Sequence, residues 1–196
     1  PLGKIGTLGA SFGQLSEKSE IYSERELILS YGNSFSMFST GLSFKFLGTK
    51  FNEDIESVAN NPYFTNTSTN AISIDWGLLA QPAKGLSLGL FVDNFLPADV
   101  SVSEEEDNVP IKFGFGLAYK LEAIASAAQQ NTMRELLSRT QYAIEVDLRD
   151  GKPEFHTGAE VGIHELFTIR GGYTGNNGVN SSSTVSFGAS LIFPIQ

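Results

Sequence analysis

The residues with the most chemical potential are His156, Glu160 and His164, an imidazole–carboxylate–imidazole row at four-residue spacing. On a regular strand all three share one face, because side chains alternate. Each interval then spans about 13 Å. That is too far for one metal ion, so the row reads as two solvated or lumen-facing histidines, and no metal site is expected. Gly171-Gly172 and the glycines from Gly6 to Gly13 open no helix, so they make no phosphate cradle. Glu104-Glu105-Glu106-Asp107 reads as a solvated loop, since adjacent like charges repel and favour open chain. The sequence has no Cys, which excludes disulfides, thiolate metal sites and a Cys nucleophile. No catalytic constellation and no cofactor site emerges, and the chain reads as a non-enzyme. Its formal net charge of −9 argues against a nucleic-acid partner, which wants a basic surface.

The elements that carry these residues are strands. Strict period-2 alternation recurs along the chain. In residues 111–121, Ile111, Phe113, Phe115, Leu117, Tyr119 and Leu121 form one face, and Lys112, Gly114, Gly116, Ala118 and Lys120 the other. The same split appears at Ile72, Ile74 and Trp76 against Ser73, Asp75 and Gly77. It returns at Tyr142, Ile144, Val146 and Leu148 against Ala143, Glu145 and Asp147, and at Val185, Phe187 and Ala189 against Ser186 and Gly188. About ten strands are readable, each near the roughly 9–11 residues that cross a bilayer at a tilt. No run of roughly 18 apolar residues is present, so no transmembrane helix is expected. A closed barrel is the remaining way to span a membrane.

The connections alternate in length. Long polar linkers fall near residues 14–24, 52–70, 94–110 and 175–183, and short ones at Gln81-Pro82-Ala83-Lys84 and His164-Glu165. That alternation is the pattern of short periplasmic turns and long extracellular loops. Two connections break it: the short Asp150-Gly151-Lys152-Pro153 turn, and the Ala-, Leu- and Arg-rich stretch within 121–140, which reads as a helical insertion. No signal peptide is visible, so the sequence reads as a mature protein or a piece of a longer one.

Alternation also fits a soluble barrel or sandwich that binds an apolar ligand, with apolar residues inward. The polar face discriminates. A soluble barrel covers its outside with long charged and polar residues. Here that face is mainly Gly, Ser, Ala and Thr, and Gly packs nothing on a wetted strand. The expected fold is therefore all-β: an antiparallel up-and-down transmembrane β-barrel over residues 1–196 as a single domain. Its ten strands are the whole wall or part of a larger one. Tyr31, Trp76, Tyr119, Tyr142 and Tyr173 lie on the apolar face and suit interfacial girdles. Scattered charges on the polar face are the lumen-facing candidates: Lys45, Asp75, Asp93, Lys112, Lys120, Glu145, Asp147, Glu160 and Arg170. They either pair across the lumen and fill it or line a polar path, and pairing suits a narrow barrel filled by its own side chains.

Several segments resemble the PorV/PorQ-type outer-membrane proteins, relatives of the FadL fatty-acid transporters. The likeness rests on AISIDWGLLAQPAKGLSLGLFVDNF (71–95) followed by VPIKFGFGLAYKL (109–121), on HTGAEVGIHELFTIRGGYTGN (156–176) and on LILSYGNSFSMFSTGLSFKFLGTKF (27–51). What the resemblance implies is a bacterial outer-membrane barrel of the FadL-like superfamily. Its partners would be membrane lipid, hydrophobic small molecules in passage, or other outer-membrane and periplasmic proteins of a secretion-type complex. The chain departs from the family pattern in lacking an N-terminal plug region, in having fewer readable strands and in ending without a terminal aromatic.

Overall fold

The structure is a computed structural model that describes residues 5–17, 21–125, 127–128, 130–176 and 182–192. Among the described residues twelve strands follow one another: β1 (Thr7–Ser16), β2 (Tyr22–Phe35), β3 (Phe38–Phe51), β4 (Ser68–Ala83), β5 (Leu86–Asp93), β6 (Ala98–Asp99), β7 (Asn108–Val109), β8 (Lys112–Lys120), β9 (Thr140–Arg149), β10 (Lys152–His164), β11 (Phe167–Asn176) and β12 (Ser183–Leu191). Ten of them form one up-and-down sheet in the order β1-β2-β3-β4-β5-β8-β9-β10-β11-β12, with β1 and β12 at its two edges. β6 and β7 form a separate two-stranded ladder inside the β5–β8 connection. Short helices α1 (Glu56–Ala59), α2 (Glu122–Ala125) and α3 (Asn131–Ser138) occupy connections. The fold is all-β and up-and-down, as the alternation predicts.

The two faces of the strands differ as their side chains do. On β9, Tyr142, Ile144, Val146 and Leu148 are 52%, 56%, 40% and 47% exposed, while Asp147 between the last two is fully buried. On β4, Ile72 and Trp76 are exposed and Ser73 is fully buried. On β8, Phe113 and Phe115 are exposed and Gly114 is buried. On these three strands the apolar face is thus the open one and the Gly/Ser/Asp face the more covered one, whereas β1 at the edge is exposed on both faces. Among the described residues only Val58, Ala98 and Ala125 are buried hydrophobics, and none lies on a strand of the ten-stranded sheet.

Several connections differ from the sequence expectation. β1 and β2 run on into the polar stretch expected as a loop at 14–24, with Gln14, Leu15 and Ser16 opposite Arg25, Glu24 and Ser23. Ladder hydrogen bonds need no apolar side chains, so strands continue after their hydropathy pattern fades. β4 likewise continues through Pro82 to Ala83, and the turn follows at Gly85, whose φ is +81°. The single helical insertion expected within 121–140 is two short helices, separated where Gln130 turns extended. Isolated helices this short are marginal on propensity alone. Residues 177–181 of the linker expected at 175–183, and the chain end around Phe193, lie outside the described residues.

By density of internal contacts the chain divides into two compact units. The first comprises Pro1–Phe35, Ser39–Gly77 and Phe91–Lys112. Within it Phe51 lies between Tyr22 and Phe64, with ring centroids 4.9 and 4.8 Å away, closing the loop that carries α1 against the strand ends. The second comprises Ser36–Phe38, Leu78–Leu90 and Phe113–Gln196. There the end of α3 is tied to the β10–β11 hairpin. Arg139 pairs with Glu135 at 2.9 Å and Glu165 at 3.4 Å. Its stem lies so close to Gly162 that a Cβ there would meet it at 2.9 Å, so only glycine leaves room at that position.

Candidate functional site

The charged residues of the polar face resolve into separate groups. In the first unit, Lys45 on β3 pairs with Asp75 on β4, Nζ to Oδ1 at 2.7 Å, with side chains only 12% and 20% exposed. Lys45 Nζ also donates to Asn94 Oδ1 at 2.9 Å. The Asn94 backbone N–H returns a bond to Asp75 Oδ1 at 2.9 Å, and its Nδ2 donates to the Pro110 carbonyl at 3.0 Å. Asn94 adopts a left-handed φ of +56°, which asparagine tolerates better than most residues. It thereby ends β5 with its amide aimed at the ion pair. Lys112 lies over the Phe91 ring, 5.2 Å from its centroid, and Asp93 is engaged as well. Lys120 stands exposed at the end of β8, its backbone N–H bonded to the Gly85 carbonyl.

In the second unit, Glu160 and Arg170 face each other directly across β10 and β11 and pair at 3.6 Å. Arg170 also donates to Ser190 Oγ on β12. Both side chains are about half exposed, 49% and 51%, where an ion pair contributes little. The Lys45–Asp75 and Glu160–Arg170 pairs both join neighbouring strands of the sheet. The expectation of pairs reaching across a lumen is not how these four residues are arranged.

The closest grouping lies within the second unit. Glu145 and Asp147 are two residues apart on β9 and so share its covered face. His156 on β10 is directly opposite Glu145 in register, and Thr174 on β11 is directly opposite His156. The imidazole bridges two strands: Nε2 lies 3.1 Å from Asp147 Oδ2 and Nδ1 lies 3.0 Å from Thr174 Oγ1. Asp147 is fully buried, whereas His156 is 31% exposed. Glu145 and His156 border a cavity of about 290 Å³ whose walls include Gly89, Gly116, Ala118 and Gly158. These small residues leave the space open. Glu145 Oε2 lies 3.6 Å from where a Cβ on Gly116 would stand.

Along β10, Glu160 pairs with Arg170 and His164 lies at the strand end, apart from His156 as their spacing predicts. His164 sits at the β10–β11 turn, its Nδ1 accepting the Leu166 N–H at 3.3 Å. The partners of His156 come from across the ladder. The signal that finds them is the Asp150-Gly151 turn: pairing outward from it sets Arg149 opposite Lys152 and, four pairs on, Glu145 opposite His156. The chain matches no family model and no curated protein sequence.

Proposed function

We propose that the chain is an outer-membrane β-barrel protein, FadL/PorV-like, whose ten-stranded sheet is barrel wall with its apolar face against lipid. It serves the passage of hydrophobic compounds or stands as the membrane-embedded component of a larger, secretion-type complex. The observation that carries the membrane reading is the inverted burial of the strands. Tyr142, Ile144, Val146 and Leu148 are open while Asp147 and Ser73 are closed off. Fully burying one such apolar side chain is worth roughly 1.5–3 kcal/mol, so the four half-exposed ones on β9 forgo about 3 kcal/mol or more in water. Hydrocarbon supplies that burial without a second protein layer. The soluble alternative, a barrel or sandwich with an apolar ligand inside, requires the opposite arrangement. The passage and complex roles rest on the segments that resemble PorV/PorQ-type proteins, and on partners of the kinds named for them: lipid, hydrophobic small molecules, and outer-membrane or periplasmic proteins.

Trp76, the only tryptophan, tests the membrane reading. It lies on the apolar face of β4, exposed, with Nε1 donating to Thr40 Oγ1 at 3.1 Å. In proteoliposomes, lipids with brominated acyl chains should quench its fluorescence, and aqueous iodide should not. Quenching by iodide alone, from protein that stays monodisperse without detergent, contradicts the reading.

A further inference from the structure

The Glu145–Asp147–His156 group carries more than a structural hydrogen-bond chain needs. One carboxylate oxygen from each acidic residue and one imidazole nitrogen all lie within 4.8 Å of one another, the only such group of three or more potential ligands among the described residues. Two anionic oxygens and one imidazole form the donor set of a divalent first-row cation, since imidazole suits zinc-like ions and carboxylates add charge and hard donors. The second shell is also in place. A ligating histidine is usually oriented by a hydrogen bond from its other ring nitrogen, and Thr174 Oγ1 provides that bond at Nδ1, 3.0 Å away. Nε2 is therefore the ring nitrogen turned toward the carboxylates, 3.1 Å from Asp147 Oδ2. Access comes from the cavity of about 290 Å³ that Glu145 and His156 border, with room beyond the three protein ligands for water or a small ligand on the cation.

We propose that Glu145, Asp147 and His156 form a three-ligand site for a divalent transition-metal ion, with Thr174 as the positioning residue that fixes the imidazole. The site lies on paired strands within one unit and does not depend on the membrane reading. A plain Asp147–His156–Thr174 hydrogen-bond chain is the rival. It has no use for Glu145, and that residue separates the two.

The test is calorimetric titration of the full chain, in detergent and cleared of metal with a chelator, using Zn²⁺ as the probe. One equivalent should bind, and Glu145→Gln and His156→Ala should each weaken the fitted Kd by more than the roughly 10–100-fold that losing an outer-shell partner costs, or abolish binding. Thr174→Val should weaken it by about 10-fold, and His164→Ala should leave it unchanged. Glu145→Gln keeps the shape of the side chain and touches neither hydrogen bond of His156, so its circular dichroism should match the parent. Absence of binding by the parent chain overturns the proposal. So does binding that Glu145→Gln and His156→Ala leave intact, which would place the ion elsewhere.

Discussion

At the scale of single residues, the most consequential pair is Lys45 with Asp75. Both side chains are largely covered, and Asn94 bonds to each. Removing one partner leaves the other charge covered and uncompensated, which costs far more than the pair contributes as a whole. Asp75→Ala should therefore lower unfolding stability by about 3 kcal/mol. The double variant Lys45→Met/Asp75→Leu should cost less than the single one. Denaturant titration in detergent, followed by Trp76 fluorescence, measures both. Glu160 and Arg170, half exposed at 3.6 Å, should show no comparable asymmetry. All four of these residues are legible in the sequence as polar-face charges, because alternation fixes the face. Their partners are not, because a partner is fixed by register, and register depends on turns.

The element scale is where register is decided. The β9–β10 hairpin turns on Asp150 and Gly151 alone, with φ of +50° and +71°. Both central residues at positive φ is the two-residue turn whose twist matches flanking strands, and Asp-Gly is a favoured sequence for it. That turn places Glu145 opposite His156 and Asp147 two residues along. Gly151→Ala should cost about 1 kcal/mol, although nothing lies within 4 Å of the new Cβ. Gly13→Ala in β1, equally open but without a positive φ, should be nearly neutral by the same denaturant titration. Strand identity was legible in the sequence because an alternating face such as 111–121 has few other interpretations. Strand ends were less so: Gln14 to Ser16 and Ser23 to Arg25 pair through backbone groups that carry no hydropathy signal. The helical insertion was legible in type, and its break at Gln130 was not, since short helices are set by what they dock on, here Arg139 against Gly162.

On the scale of the whole molecule, the account rests on which medium meets the apolar face. Phe44, Phe46, Phe113, Phe115 and Ile144 are all exposed, and open apolar side chains in such number mark a surface that meets a membrane or another protein. The absence of Cys allows the question to be put residue by residue. Single cysteines placed from Gln141 to Leu148 on β9 can each carry a nitroxide spin label in lipid vesicles. Their accessibility to oxygen, which concentrates in hydrocarbon, can then be compared with that to a water-soluble nickel chelate. An apolar face against hydrocarbon predicts a period of two: labels at Tyr142, Ile144, Val146 and Leu148 favour oxygen, and labels at Ala143, Glu145 and Asp147 do not. Equal access of the nickel chelate to both sets, with no alternation, would contradict it.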